Sequence, residues 1–428
     1  MTLRMVLRPL IEFKVTIMRD DSPMYALQKA LVVTRTSTIL NSVVEVNIGR
    51  STDRCNDFLR SYKVPFLLTP AFNTLVNAIP AMQHLHTIRL SDIFLSSMYI
   101  YTILSSPHLV HLILTTVQLP KISTFPPPKL RKLTLVTMRC SWNSIQPLIA
   151  QLATSLEYLE LDWCRFLPPS QIQLPSLPCL QELRHHQYYL RNTFPGENQL
   201  NELLRLGSQV TRLHVSGHES VTACRKSLQY LDTSIWMLSD LTFGTEPFPR
   251  LMHLSLRVFQ TADTANHLLT FPSFIRDHFP KITSLHLSML WALRYYAMVL
   301  VRSQHNVQAL KLVISIEDEI DDEGSGETNT CSPVEVPNDQ PHQAMWPAAL
   351  QTLKLEAVQY HGELEQGATR CIRWVSNDVI PSVTGLGGPD LKSIDLLVFQ
   401  PKSRSVERER VLSRQWVRAP NDVWQVLE

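Results

Sequence analysis

The sequence is poor in glycine and lacks a long uninterrupted apolar run. It has 12 Gly against 28 Pro in 428 residues, which leaves little material for phosphate-binding loops. The most apolar window, residues 284–301, contains His286 and Arg294 and is too polar to span a bilayer. The first nine residues lack the apolar core of a secretory signal. We therefore expect a cytoplasmic or nuclear protein with no membrane segment.

Disulfide and sequon signals are also missing. The 7 Cys are scattered without a Cys-x-x-Cys pair, and no Asn-x-Ser/Thr sequon occurs, so a secreted disulfide framework is not expected. The net charge is +2, so no global field favours a nucleic-acid partner.

Motifs of catalysis and cofactor binding are absent. Neither Gly-x-Ser-x-Gly nor His-Glu-x-x-His occurs, and the glycines of residues 384–393 lack phosphate-loop spacing. Cys179, His185 and His186 could supply metal ligands, but Cys179 lies in a Pro-x-Leu spacer and His185 takes a leucine position. We predict no catalytic residue, no cofactor and no metal. An enzyme would need a converging nucleophile and base, which the sequence does not show.

The chain is rich in one pattern, Leu-x-x-Leu-x-Leu. Its copies begin at Leu85, Leu109, Leu130, Leu156, Leu180, Val210, Leu228, Leu251, Ile282, Val307, Leu350 and Leu391. The first five copies are 24, 21, 26 and 24 residues apart, and a period of about 20–29 residues is typical of leucine-rich repeats. The pattern predicts an α/β fold, an irregular leucine-rich-repeat solenoid. A curved parallel sheet would lie on its concave side and helices outside, for example within residues 93–106 and 142–154.

Proline recurs at a fixed offset in this array. It stands two residues before the first apolar position of six copies, at Pro107, Pro128, Pro178, Pro249, Pro280 and Pro389. Proline ends a helix and restricts the backbone around it, so we expect it to set an extended approach to each strand.

The array suggests three regions. Residues 1–80 form an N-terminal segment with degenerate repeats and a cap. It includes a strand-like alternation at residues 10–17, a helical stretch at 24–40 and a weak copy at 43–48. Residues 81–400 form the solenoid, interrupted by a flexible acidic loop at about 316–345. Residues 401–428 carry spaced arginines and apolar residues, which predict a C-terminal helical cap.

Residues between the repeat leucines would point away from the core and form ladders on the concave sheet. The candidate partner-binding residues are Arg89, His111, Lys132, Glu160, Asp162, Arg184, His214, Arg257, His286, Lys311 and Lys354. Thr134, His186, Arg212, His253 and Asp395 share this orientation. Such a surface either binds a protein partner or only keeps the sheet soluble.

The repeated Pro-x-Leu-x-x-Leu-x-Leu copies, the long outer segments and the acidic interruption resemble the leucine-rich-repeat part of fungal F-box proteins, over roughly residues 40–400. In that family an N-terminal F-box docks the adaptor of an SCF-type ubiquitin ligase, and the repeats hold the substrate. No F-box pattern is found in residues 1–80, so no adaptor-binding residue can be assigned. We expect either a truncated relative or a chain that uses only the repeats.

The resemblance implies a non-catalytic substrate-recognition subunit with a protein target on its concave face, and possible contact with the adaptor and cullin. The alternative is a free-standing leucine-rich-repeat scaffold or inhibitor with no ubiquitin link.

Overall fold

The computed structural model describes many separate stretches of the chain. They are residues 13–18, 21–49, 69–93, 95–117, 119, 129–136, 139–162, 165–167, 176–186, 207, 209–215, 221–234, 247–258, 274–291, 301, 304–316, 346–347, 349–359, 364–381, 391–401, 408–418 and 424–427. They belong to two compact units, residues 1–224 and 225–428.

The first unit is a mixed α/β structure with a parallel sheet. Its strands are β1 (Phe13–Met18), β2 (Val43–Gly49), β3 (Thr87–Ser91), β4 (His111–Thr115), β5 (Lys132–Val136), β6 (Arg139–Ser141), β7 (Tyr158–Asp162), β8 (Arg165–Leu167), β9 (Glu182–His186) and β10 (Arg212–Val215). The main sheet has the order β1-β2-β3-β4-β5-β7-β9-β10, while β6 and β8 pair separately. Each described strand therefore lies beside its predecessor in the chain, apart from that small pair.

Helices connect several of these strands. They are α1 (Pro23–Arg35), α2 (Ser37–Leu40), α3 (Thr69–Ala78), α4 (Ser97–Leu104) and α5 (Trp142–Gln151). The helix α1 begins at a serine cap, since the Ser22 hydroxyl accepts a bond from the Tyr25 amide at 3.3 Å and Pro23 opens the first turn. Its buried face consists of Ala26, Ala30 and Val33. The helices predicted within residues 24–40, 93–106 and 142–154 are confirmed.

The second unit is also mostly parallel. Its strands are β11 (Tyr230–Ser234), β12 (His253–Val258), β13 (Ser284–Leu290), β14 (Ala309–Ile316), β15 (Thr352–Gln359), β16 (Ser393–Pro401), β17 (Arg408–Arg418) and β18 (Trp424–Leu427). Strands β11 to β16 pair in parallel, and α6 (Leu364–Trp374) follows β15. None of the helices in the described part of the chain combines the length and apolar character that crossing a membrane requires.

The repeat leucines lie in register across the strands. Leu133 of β5 pairs with Leu112 on one side and Leu159 on the other, and all three are fully buried. The same register holds for Leu135 between its neighbours. Burying one leucine stabilises the fold by about 1.5–3 kcal/mol, so a continuous row makes a core that no single strand could form. The strands predicted at these copies and at residues 43–48 are confirmed, and the strand predicted at residues 10–17 is confirmed over the described residues 13–17.

The proline prediction is wrong in one detail. Pro178 and Pro280 do not continue an extended segment but lie inside turns. The Leu180 amide donates to the Leu177 carbonyl at 3.2 Å, and the Ile282 amide donates to the Phe279 carbonyl at 3.3 Å. Proline is favoured at the second position of such a turn because its φ is preset. Pro128 and Pro389 lie outside the described residues.

The predicted C-terminal helical cap is wrong. Residues 408–418 and 424–427 form β17 and β18, which pair antiparallel with β16 and with each other. The i, i+4 spacing of the arginines resembles a helix, but a strand pairs with the open edge of β16, whereas a helix would leave that edge without hydrogen-bond partners. Trp416 pairs with Ile394 and is only 2% exposed. Apart from Ile316, the last residue of β14, the predicted acidic loop lies outside the described residues.

Candidate protein-binding face

The side chains between the repeat leucines lie on the opposite side of each sheet, because successive residues of a strand alternate. We call this side the polar face. In the first unit it has an outer row of Thr87, His111, Lys132, Tyr158, Glu182 and Arg212. It also has a central row of Arg89, Ile113, Thr134, Glu160, Arg184 and His214. The pairing register thus brings together predicted residues that are 20–30 positions apart in the chain.

Glu160 is the centre of a hydroxyl network. Its Oε2 accepts a hydrogen bond from the Tyr158 hydroxyl at 2.6 Å and another from the Thr134 hydroxyl at 3.1 Å. Burial and the Glu160 carboxylate raise the pKa of Tyr158, so the proton stays on its phenol oxygen. Glu160 is therefore held by two neutral hydroxyl donors.

These bonds fix the proton position on His111. The Nε2 of His111 lies 3.0 Å from the Thr134 hydroxyl oxygen. That hydroxyl gives its only proton to Glu160, so His111 must donate and carries hydrogen on Nε2. Burial, and then the charges of Arg89 and Lys132, lower the pKa of His111 to about 4. At neutral pH the ring is uncharged.

A second group is built around Glu182. Its Oε1 accepts from Arg184 Nε at 2.8 Å, lies 2.7 Å from Arg184 Nη2 and 3.5 Å from His214 Nε2. The hydrogen bond from His214 and the contacts with Arg184 hold the pKa of Glu182 at about 2, although burial acts in the opposite direction. The Arg184 guanidinium also lies 5.4 Å from the centre of the Tyr158 ring. Tyr158 thus joins the two groups.

This arrangement fixes the Arg184 side chain without burying it. The Arg184 side chain is 38% exposed although it is held by a carboxylate and an aromatic ring. Arginine and tyrosine are enriched among residues that dominate protein–protein binding energies, and a fixed side chain loses less entropy on binding. The cluster is therefore well suited to contact a partner.

Asp162 lies at the end of β7, beside this cluster. Burial and the Glu160 carboxylate raise the pKa of Asp162 to about 6. Its register partner is His186 of β9. Asp162 is thus more easily protonated than an ordinary aspartate.

The second unit has a polar face of the same kind. Both lysines predicted there bind one acid, since Lys311 Nζ is 2.9 Å from Glu356 Oε2 and Lys354 Nζ is 3.0 Å from Glu356 Oε1. Burial raises the pKa of Glu356, but the two lysines outweigh it and the pKa is lowered.

The other predicted residues of the second unit also have neighbours on this face. Arg257 Nε is 3.6 Å from Asp232 Oδ1, and His286 Nδ1 is 3.2 Å from the Ser255 hydroxyl. Burial and Lys311 lower the pKa of His286. Asp395 accepts from Gln415 Nε2 at 2.6 Å.

Sequence reasoning missed three residues that organise the site. Tyr158 and Glu182 stand immediately before the second leucine of their copies, the position from which His111 and Lys132 were selected. A position-by-position comparison of the copies would have found them. Glu356 follows its last leucine by one residue and is 8% exposed, so no exposed-residue pattern marks it.

The residues weighed as metal ligands do not come together. His185 is 6% exposed in the row of buried leucines, paired with Leu161 and Val215. Cys179 lies in a turn, and its Sγ contacts the Thr154 carbonyl at 3.2 Å. Among the described residues no group of three or more His, Cys, Asp or Glu side chains is arranged to hold a metal ion.

Comparison with known proteins does not identify a family for this chain. No protein-family model matches the chain, and no curated protein matches it either.

Proposed function

We propose that this chain is a non-catalytic protein-binding protein with a leucine-rich-repeat solenoid fold. One observation supports this best: on the polar face of the first unit, Tyr158, Glu160, Glu182, Arg184 and His214 form a fixed cluster in which the Arg184 side chain stays 38% exposed. A sheet that only needed to stay soluble would not require such cross-strand bonds, because scattered charges are sufficient for that.

The repeat fold is supported by the register of the strands. Each strand from β3 to β5 places two apolar residues of its copy against those of the next copy. Stacked units of this kind expose one extended face, which repeat proteins commonly use for binding. The partner would lie on the concave side of the solenoid, over the polar face.

The resemblance to fungal F-box proteins favours a substrate-recognition subunit of an SCF-type ubiquitin ligase. In this role the chain would position a target protein and carry out no chemistry itself. The alternative is a free-standing scaffold or inhibitor, which would use the same face without an adaptor.

The binding role is tested with matched arginine variants. Arg184→Ala removes a fixed side chain of the cluster, whereas Arg276→Ala removes an arginine that is 58% exposed and paired with Asp277 elsewhere. Cross-linked complexes of the full chain are quantified by mass spectrometry in its native cells. We expect proteins that are lost with Arg184→Ala and retained with Arg276→Ala. If no protein depends on Arg184, the polar face of the first unit is not the binding surface.

The ubiquitin link is tested separately. Tagged full-length chain is purified from the same cells, and the ligase adaptor and cullin are quantified against an unrelated tagged protein. Enrichment of both supports the substrate-recognition role. Reproducible absence of both, with partners still captured in an Arg184-dependent way, favours the free-standing scaffold.

A further inference from the structure

Three basic side chains of the polar face come from three neighbouring strands. Arg89 lies on β3, His111 on β4 and Lys132 on β5. His111 and Lys132 are register partners, while Arg89 pairs with Ile113, two residues beyond His111. Neighbouring strands lie about 4.8 Å apart, so a group above β4 is within reach of both cations. Ile113 is only 7% exposed although it points to this face, and it forms an apolar floor.

On strands β1 to β5 the charge is not balanced, and the next strand, β7, adds the carboxylate of Glu160, which two hydroxyls already bind. Strands β1 to β5 contain three cations, Lys14, Arg89 and Lys132, and one carboxylate, Glu45. Glu45 already binds two of the cations, with Lys14 Nζ at 3.1 Å and Arg89 Nε at 3.2 Å. Lys132 is exposed, and within the described residues it has no ion pair. Counting the neutral His111 as uncharged, these strands have a net charge of +2.

His111 has one ring nitrogen left for a ligand. Its Nε2–H is used by Thr134, and no described residue binds Nδ1. The pKa of His111 is low because of burial and because of Arg89 and Lys132, and the acids Glu160 and Glu45 only partly offset these cations. An anion placed beside the ring would raise that pKa, and below the raised pKa the protonated Nδ1 becomes a third donor.

We propose that Arg89, His111 and Lys132 form a binding site for a carboxylate side chain, Asp or Glu, from an acidic segment of the protein partner. This proposal rests on the proposed function of the polar face, and it specifies the chemical group of the partner that one end of that face would bind. Lys132 supplies an ammonium group that is in no ion pair with any described residue, and Arg89 supplies the guanidinium edge that Glu45 does not use. Charge-assisted hydrogen bonds of this kind are roughly twice as strong as neutral ones.

Binding is measured by fluorescence anisotropy on the full chain with a labelled hexaglutamate peptide, and hexaglutamine is the uncharged control. We expect binding of hexaglutamate alone, about tenfold weaker in Lys132→Gln and in Arg89→Gln. Lys281→Gln, an exposed lysine of the second unit, should bind as the wild type does. Equal binding by all three variants, or equal binding of hexaglutamine, would overturn the site.

A second measurement does not depend on affinity. The imidazole of His111 is followed by NMR with labelled histidine and assigned with His111→Gln. Saturating hexaglutamate should raise its pKa from about 4 by roughly one unit or more. An unchanged pKa, or tighter binding of a labelled oligothymidylate that is lost in the same variants, would reject a carboxylate ligand.

The two proposals fail independently. If hexaglutamate does not bind but Arg184→Ala still loses cellular partners, the polar face binds proteins without this site. If hexaglutamate binds at these residues but no captured protein depends on Arg184, the carboxylate site is supported and the binding role of the Arg184 cluster is rejected.

Discussion

The charge on Glu182 should stabilise the pairing of β9 with β10. Its carboxylate joins Arg184 on its own strand to His214 on the next strand. The side chain is 17% exposed, so water screens these contacts only in part. Glu182→Gln keeps the shape and an acceptor oxygen but removes the charge, and thereby imitates the protonated acid.

The size of the effect follows from the pKa. The folded pKa of about 2 lies below the reference value of 4.5, and this difference corresponds to about 3 kcal/mol of stability at pH 7. Because the folded pKa is the lower one, the contribution is complete above pH 4.5 and is lost as the pH falls towards 2. At pH 3 about 1.5 kcal/mol should remain. The stability lost in Glu182→Gln should therefore fall from about 3 kcal/mol at pH 7 to about 1.5 kcal/mol at pH 3.

The assay is hydrogen exchange of peptides covering β9 and β10, measured in urea at pH 7 and pH 3. Glu157→Gln is the matched control, since its side chain is 39% exposed and lies 3.6 Å from Arg131. Exposed ion pairs contribute about 0–1 kcal/mol, so this variant should change little at either pH. The reasoning is refuted if both variants cost the same at pH 7, or if the cost of Glu182→Gln does not fall at pH 3.

Three further predictions concern the core, the last residue of β2 and the polar face. Leu133→Ala should lower the free energy of unfolding by about 3 kcal/mol because the side chain is fully buried. The control Lys132→Ala should change it by less than about 0.5 kcal/mol. Equal losses of the two variants in denaturant titrations would contradict this. Gly49→Ala should cost about 2 kcal/mol or more, since φ is +128° and a Cβ would strike the Ser91 carbonyl; an unchanged melting curve would argue against that geometry. In ¹⁵N NMR, His111 should be the neutral Nε2–H tautomer at pH 7 and titrate near pH 4; the Nδ1–H form would contradict the inferred proton position.

The strands were predictable because their signal is local and repeated. Two leucines separated by one residue face the same side, and a strand with one apolar side must find another like it. The copy at residues 130–135 predicted β5, and equivalent copies predicted β4 and β7 on either side of it. Even the weak copy at residues 43–48 takes a place in the same sheet, between β1 and β3.

The end of the chain was not predictable in this way. The arginines of residues 408–418 fit a helical spacing as well as a strand, and no repeat leucine marks the segment. What decides its structure is the free edge of β16, and the residue spacing within the segment does not reveal that edge. An unpaired edge requires hydrogen-bond partners, and a segment with Val411, Trp416 and Val417 forms strands readily.

The polar face shows a further limit of repeat patterns. Aligning the copies correctly places Glu160 beside Arg184, and register alone would predict an ion pair between them. The structure instead joins Arg184 to Glu182 on its own strand and leaves Glu160 to the hydroxyls of Tyr158 and Thr134. The Tyr158 ring accounts for this choice: its face lies near the guanidinium, and its hydroxyl occupies Glu160. A repeat therefore predicts which side chains are neighbours, but side-chain shape and hydrogen-bonding capacity decide which neighbours bind each other.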